Sequence, residues 1–404
     1  MEQLIDGFIS SFSLVNLMAC FLGCLLGTIV GVLPGLGATA TMALLLPFTF
    51  LYNPTTSLIM LTGIWYGAQY GGSTTSILVN IPGEATSVVT CLDGYQMAKK
   101  GRAGAALALS AVGSFVAGTI GIIGLQFVGP LLGKAALSFG PSEYLAFLIF
   151  AFILLSNLSG ESPLRGFIML ILGLWISSIG LNPLDSIPRF SLGNNQLMKG
   201  IGFLPLVMGL FGIAEILNIA IKTYVPPIIK KLHLKELYPN KEEIKRSIHP
   251  IWRGSILGFF IGLLPGPATI ISPFITYSVE KRLSKTPQEF GKGMVEGVVA
   301  PESANNSAVM GSMIPLLTLG IPFAAPSAVL LAGLRMNNVE PGPLLFQQRP
   351  EMFWTFIAAM YIGNIMLLVL NLPLVGIFAR ISTIRPQILS LIHISEPTRQ
   401  AENS

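Results

Sequence analysis

Gly23-Cys24-Leu25-Leu26-Gly27-Thr28-Ile29-Val30-Gly31-Val32-Leu33-Pro34-Gly35 is an apolar run with a glycine at every fourth position, and it stops at a Leu-Pro-Gly break. The same punctuation returns 231 positions later as Gly254, Gly258, Gly262, Leu264, Pro265 and Gly266. Glycines four apart lie on one helix face and let a second helix come close. Proline then removes a backbone donor and glycine permits a turn, so each run predicts an interrupted helix. In lipid the freed backbone groups survive only where protein or a water-filled cavity satisfies them. A duplicated pair of such breaks marks membrane machinery with a site at the interruption.

Composition agrees with this reading. Of 404 residues, 52% are apolar and 11% charged, with a mean hydropathy of +0.71, whereas soluble domains carry about 25% charged residues. The fold class expected is an all-α polytopic membrane protein. Apolar stretches approaching or exceeding the ~20 residues needed to cross a bilayer lie at 12–33, 103–132, 144–158, 166–181, 201–221 and 353–378. With the shorter Gly/Pro-cut pieces between them, about ten or more membrane segments are expected. The first residues carry Glu2 and Asp6 and no basic cluster, so a cleavable signal peptide is not expected.

The net charge of +5 sits in loops flanking spans, where lysine and arginine mark the cytoplasmic side; it is read as topology, with a lipid bilayer and no nucleic acid as partner. Cys20, Cys24 and Cys91 form no even set and read as packing residues. His233, His249 and His393 have no companion ligands, so no metal beyond a possible Na+ is expected and no cofactor. The chain has no phosphate-binding Gly-x-x-x-x-Gly-Lys-Ser/Thr loop, no Gly-x-Ser-x-Gly and no His-Glu-x-x-His, which argues against an ATP-driven machine or a hydrolase.

Residues 222–253 form the long polar stretch, with Lys230, Lys231, Lys235, Lys241, Lys245 and Arg246, and read as a cytoplasmic linker. This divides the chain into a first repeat at 1–135, intervening transmembrane helices at 136–221, the linker, and a second repeat at 254–385. Loop charges orient the repeats. The loop at 51–57 is uncharged, while its counterpart holds Lys281, Arg282, Lys285 and Lys292; later the bias swaps, with Lys99, Lys100 and Arg102 in the first copy. The repeats are therefore expected in opposite orientations, as an inverted-topology pair with Pro/Gly-broken or re-entrant helices and the N-terminus outside. Leu33-Pro34-Gly35 and Leu264-Pro265-Gly266 are expected to approach each other near the bilayer midplane.

Each copy also has a polar cluster. The first reads Tyr66-Gly67-Ala68-Gln69-Tyr70-Gly71-Gly72-Ser73-Thr74-Thr75-Ser76, then Asn80-Ile81-Pro82-Gly83-Glu84; the second reads Ala300-Pro301-Glu302-Ser303-Ala304-Asn305-Asn306-Ser307, then Leu317-Thr318-Leu319-Gly320-Ile321-Pro322. Each is expected as a small-residue polar segment ahead of a short helix that ends in Ile-Pro. Hydroxyls, amides and freed carbonyls suit a cation or a carboxylate. The candidate substrate or ion ligands are Gly35, Gly72, Ser73, Thr74, Thr75, Asn80, Gly266, Asn305, Asn306, Ser307 and Thr318, with breaks at Pro34, Pro82, Pro265 and Pro322. The plainer alternative is that these groups bond neighbouring helices. Glu84 and Glu302 are the nearest carboxylates and neither is chosen as an ion ligand.

These motifs, with Cys91-Leu92-Asp93-Gly94-Tyr95 and Gly101-Arg102-Ala103-Gly104, resemble the large membrane subunit of the tripartite tricarboxylate transporters (TctA-like) from about residue 5 to about 385. The resemblance implies a bacterial inner-membrane secondary transporter, not an enzyme, that imports di- or tricarboxylates such as citrate. It also implies a periplasmic solute-binding protein, a small four-helix membrane subunit, and coupling to Na+ or H+. Ser73, Thr74, Asn305 and Asn306 would face the translocation site, and the N-terminus would be periplasmic. The tail 386–404 does not resemble the family and reads like translated adapter sequence, so the second repeat is expected to be C-terminally truncated. The competing readings are a passive channel and an intramembrane enzyme for a lipid-linked substrate, with Asp93 and Glu302 as its acids.

Overall fold

The computed structural model describes residues 2–33, 35–157, 162–182, 187–221 and 238–372. It is helical apart from a two-stranded ribbon, β1 (Gly180–Leu181) and β2 (Pro188–Arg189). The first copy contains α1 (Glu2–Ser11), α2 (Leu14–Val32), α3 (Ala38–Leu45), α4 (Pro54–Val79), α5 (Thr90–Lys99) and the long α6 (Ala103–Ala136). Then come α7 (Pro141–Asn157), α8 (Pro163–Ser177), α9 (Phe203–Val207) and α10 (Ala214–Ile221), the last two joined by a π-helical segment at Met208–Ile213. The second copy contains α11 (Lys241–Gly262), α12 (Ala268–Leu283), α13 (Glu296–Leu319), α14 (Ala325–Met336), α15 (Leu345–Gln348) and α16 (Pro350–Asn371).

Among the described residues, α2, α6 and α16 are long and apolar enough to cross a membrane, and α7, α8 and α14 are shorter apolar helices. Helix ends follow local chemistry. Asn53 Oδ1 accepts the Thr56 N–H at 2.9 Å with Pro54 opening the helix, and Asn240 and Glu243 form a reciprocal capping box that starts α11. That box lies within the segment expected as a linker at 222–253. The stretch from Lys241 to Arg253 forms the first turns of α11, because the cap nucleates the helix and the apolar positions Ile244, Ile248 and Ile251 continue its period; residues 222–237 lie outside the described residues.

The glycine ladders do what their spacing predicts. Gly23, Gly27 and Gly31 pack against the backbone carbonyls of Met60, Ile64 and Ala68, and Gly254, Gly258 and Gly262 against those of Ala300, Ala304 and Ala308. The numbers rise together, so α2 runs parallel to α4, and α11 parallel to α13. The match extends to the helix ends, where Asn80 (φ 59°) and Gly320 (φ 69°) both close their helix in the left-handed conformation. Beyond them, Ser87 Oγ donates to Glu84 O and Ser327 Oγ to Ala324 O, at 2.9 and 2.7 Å.

Each parallel pair takes as its third member the long helix that closes the other copy. Gly113 and Gly121 of α6 face Ser303 and Ser307 of α13, again in rising order. Cys20 and Cys24 of α2 donate to the carbonyls of Ala359 and Gly363 on α16. Where the two triplets meet, the order reverses: Phe346 of α15 faces Gly133, and on α16 Tyr361 donates to Gln126 at 3.0 Å and Asn364 Nδ2 donates to Phe115 O at 2.8 Å. Helices α2, α4 and α16 therefore run opposite to α6, α11 and α13.

The starting end of the second triplet carries the charges. Arg102 forks onto Glu243, with Nε to Oε1 at 2.9 Å. Arg246 pairs with Glu296 and Arg253 with Glu280, each at 2.6 Å. Lys100 Nζ donates to Lys292 O at 2.6 Å across the two copies.

Candidate functional site

The polar clusters lie inside continuous helices, not ahead of short ones as expected. Tyr66–Ser76 is the middle of the 26-residue α4, and Ala300–Ser307 belongs to the 24-residue α13, which runs through Pro301 and Pro315. Both helices are buried on every face, so hydroxyls and amides can sit at any position without forcing a break.

In the register set by the glycine contacts, the two clusters are not equivalent. Ala68 matches Ala308, so Ser73 matches Met313 and Glu302 matches Thr62. They meet because α4 and α13 run in opposite directions. The Glu302 carboxyl, 0% exposed, receives the hydroxyl of Ser73 on one oxygen and that of Thr90, which opens α5, on the other. Ser110 of α6 and Asn305 lie beside the same carboxyl. One turn on, Asn306 Nδ2 donates to Ser114 Oγ and Glu302 O at 2.9 Å and to Asn305 Oδ1 at 2.6 Å. The seam thus joins α4, α5, α6 and α13.

Of the predicted ligands, Ser73, Asn305 and Asn306 come together here. Ser307 is buried on the same helix, Thr74 lies beside Ser73, and Thr75 Oγ1 donates to Gly72 O at 3.2 Å. Gly72 is where the Glu84 segment closes over α4. Other candidates lie elsewhere. Asn80 is an exposed helix cap, and Thr318 donates to Ile314 O at 2.7 Å and lines a separate cavity of about 210 Å³ with Leu263 and Phe323. Gly35 (φ 100°) lines a cavity of about 350 Å³ with Gly37, Pro82, Gly83, Glu84 and Glu215, where Glu84 Oε1 accepts the Ala38 N–H at 2.6 Å. Gly266 (φ 133°) and Pro265 are buried between α11 and α12 and do not line that cavity; Pro322 is half-buried after α13. Pro34 lies outside the described residues.

Sequence reasoning did not assign the roles of three residues here. Glu302 is the centre of the seam, and Thr90 reaches it from α5, outside both of the polar clusters. Asp93, read as a possible catalytic acid, is 0% exposed and accepts the N–H groups of Gly291 (3.0 Å), Gly293 (2.7 Å) and Met294 (2.7 Å) and the Tyr277 hydroxyl (2.9 Å). With every oxygen so occupied, it fastens the loop ahead of α13. No group of three or more His, Cys, Asp or Glu suited to a metal occurs among the described residues.

Long apolar helices, close glycine packing and a buried polar seam define a polytopic helical membrane protein. The chain belongs to the tripartite tricarboxylate transporter TctA family, whose model matches residues 17–395, ending within the tail at 386–404. It is 46% identical over 379 residues to an uncharacterised 52.8 kDa protein in the TAR-I ttuC' 3' region of Agrobacterium vitis, covering 94% of this chain and 75% of that protein. It is 48% identical over 127 residues to an uncharacterised protein in the TAR-II ttuC' 3' region of the same organism, covering 31% of this chain and 52% of that protein. No solved structure matches the chain significantly. The family is a transporter family, and its name describes a tripartite system.

Proposed function

We propose that the chain is the large, substrate-translocating subunit of an importer for di- or tricarboxylates such as citrate. It works with a periplasmic solute-binding protein and a small membrane subunit, and is driven by an ion gradient. The observation that carries this reading is the seam around Glu302, built from two copies that run in opposite directions. Opposed triplets, each completed by the helix that closes the other copy, are the arrangement expected of an inverted repeat, and such repeats rock about a site at their interface.

The depth of the seam supports the same reading. Thr90 and Lys99 are the two ends of α5, about 14 Å apart at 1.5 Å per residue. Lys99 lies at the end rich in Lys and Arg, which is the cytoplasmic side by the charge rule. Along α13, Glu302 lies six residues beyond Glu296, which pairs with Arg246 at that charged end, and so is about 9 Å in from it. The substrate is a carboxylate because the family members share that chemistry in name and the seam is rich in hydroxyl and amide donors.

The test is uptake of radiolabelled citrate, and of smaller dicarboxylates in parallel, into proteoliposomes holding the chain and the small subunit, with binding protein added outside. Uptake should need both the binding protein and an imposed ion gradient, and Asn305→Ala combined with Asn306→Ala should bring it to background. Flux that persists without binding protein or gradient, or that survives the double substitution, sinks the proposal.

A further inference from the structure

The geometry points to a sodium site at Glu302, in which its carboxylate and the free oxygens one turn along α13 bind the ion that drives transport. The coupling role rests on the function proposed above; the binding does not.

The carboxyl is sealed from solvent and, among the described residues, forms no ion pair with Lys, Arg or His. The groups that donate to it are all neutral: the hydroxyls of Ser73 and Thr90, with the Ser110 hydroxyl and the Asn305 amide beside the same carboxyl. Neutral donors alone do not repay the removal of a full charge from water, so the site requires a positive charge or a proton.

The neighbouring atoms decide between them. Buried polar atoms are nearly always hydrogen-bonded. Yet Ser303 Oγ, Asn306 Oδ1 and Ser307 Oγ, on residues that are all 0% exposed, have no partner. They fall within five consecutive positions that begin beside Glu302. The orientation of Asn306 is fixed by its network: its Nδ2 faces two carbonyl-type acceptors, Glu302 O and Asn305 Oδ1, so the oxygen must be the free end. Asn306 is four residues after Glu302, on the same helix face.

A proton on Glu302 would neutralise the carboxyl but leave the amide and hydroxyl oxygens unsatisfied. A small hard cation takes carboxylate, amide and hydroxyl oxygens together. One carboxylate among neutral oxygens balances one positive charge, which selects a monovalent ion over calcium or magnesium. Asn305 Nδ2 is a donor and is not a ligand.

The test is sodium binding by the purified full chain in detergent, with neither substrate nor partners present. Thermal unfolding is followed while NaCl replaces choline chloride or KCl at constant ionic strength, and binding of radioactive sodium is measured directly. The wild type should show a saturable, sodium-specific rise in unfolding temperature. Glu302→Gln should abolish it, and Asn306→Ala should raise the half-saturating concentration by about tenfold or more. An equal response to all three salts, or a sodium response retained by Glu302→Gln, overturns the proposal. Where Glu302→Gln fails to fold, Asn306→Ala and Ser307→Ala decide: half-saturation unchanged in both overturns it. Uptake driven by protons with no sodium binding removes this site and leaves the proposed function standing. Sodium binding without uptake does the reverse.

Discussion

Asp93→Ala removes the acceptor from four donors at once. Gly291 and Gly293, at φ 85° and 99°, hold the left-handed conformations that aim the N–H groups of Gly291, Gly293 and Met294 into one nest, and the Asp93 carboxylate fills it. An orphaned buried donor costs about 1–3 kcal/mol. The loop lies at the protein edge, with Lys292 exposed, so some of the freed groups reach water and the expected loss is about 3–5 kcal/mol rather than the full sum. Asp93→Asn keeps an acceptor oxygen but loses the charge; since charge-assisted bonds are roughly twice as strong as neutral ones, it should cost about half as much. Unfolding in mixed micelles by a denaturing detergent reads the stability. Limited trypsin digestion at Lys285 and Lys292, both exposed, reads the loop. An Asp93→Ala protein within about 0.5 kcal/mol of wild type, with no faster cleavage, would show that Asp93 does not hold the two copies together here.

Gly27→Leu or Gly258→Leu should each cost at least about 3 kcal/mol or abolish folded yield, because a side chain there meets the backbone of Ile64 or Ala304. Gly173→Ala, whose Cβ meets nothing within 4 Å, should be neutral or slightly stabilising by thermal unfolding. Thr90→Val removes a hydroxyl from the Glu302 carboxyl and should lower uptake by about tenfold with little change in folded yield. Burial pushes the Glu243 carboxyl up, but the hydrogen bonds from Arg102 and from the Asn240 N–H together outweigh it and hold it below the ordinary range. Its contribution to stability is therefore complete above the unfolded carboxyl's pKa and is lost as pH falls through the lowered folded value. The stability gap between wild type and Glu243→Gln should accordingly be widest at neutral pH and close under acid.

The glycine ladders were legible because glycine at every fourth position has few other uses in an apolar run, and they locate the α2–α4 and α11–α13 contacts. The ends of α2, α4, α11 and α13 were legible for the same local reason: Leu33, Asn80, Leu264 and Gly320 each precede or enter a Pro- or Gly-bearing turn. The continuity of α4 and α13 through their polar clusters was not, since a helix buried all round shows no amphipathic period. The Glu302 seam was half legible. Matching motifs suggested equivalent positions, but the register set by Gly31–Ala68 and Gly262–Ala308 puts Ser73 opposite Met313 instead. Opposed helix directions, a tertiary property, bring Ser73 to Glu302. Thr90 could not be found from sequence, because one threonine at a helix start carries no pattern.

The account rests on the seam being a route that opens to each side in turn, and thiol labelling tests that most directly. Ser73→Cys is placed in a background where Cys20, Cys24 and Cys91 are serine, and reacted with a membrane-impermeant maleimide in right-side-out and inside-out vesicles. The account predicts labelling from both sides, shifted between them by the ion gradient and blocked by a transported carboxylate when binding protein is present. Labelling from neither side under any condition, or from one side alone irrespective of gradient and substrate, would contradict it.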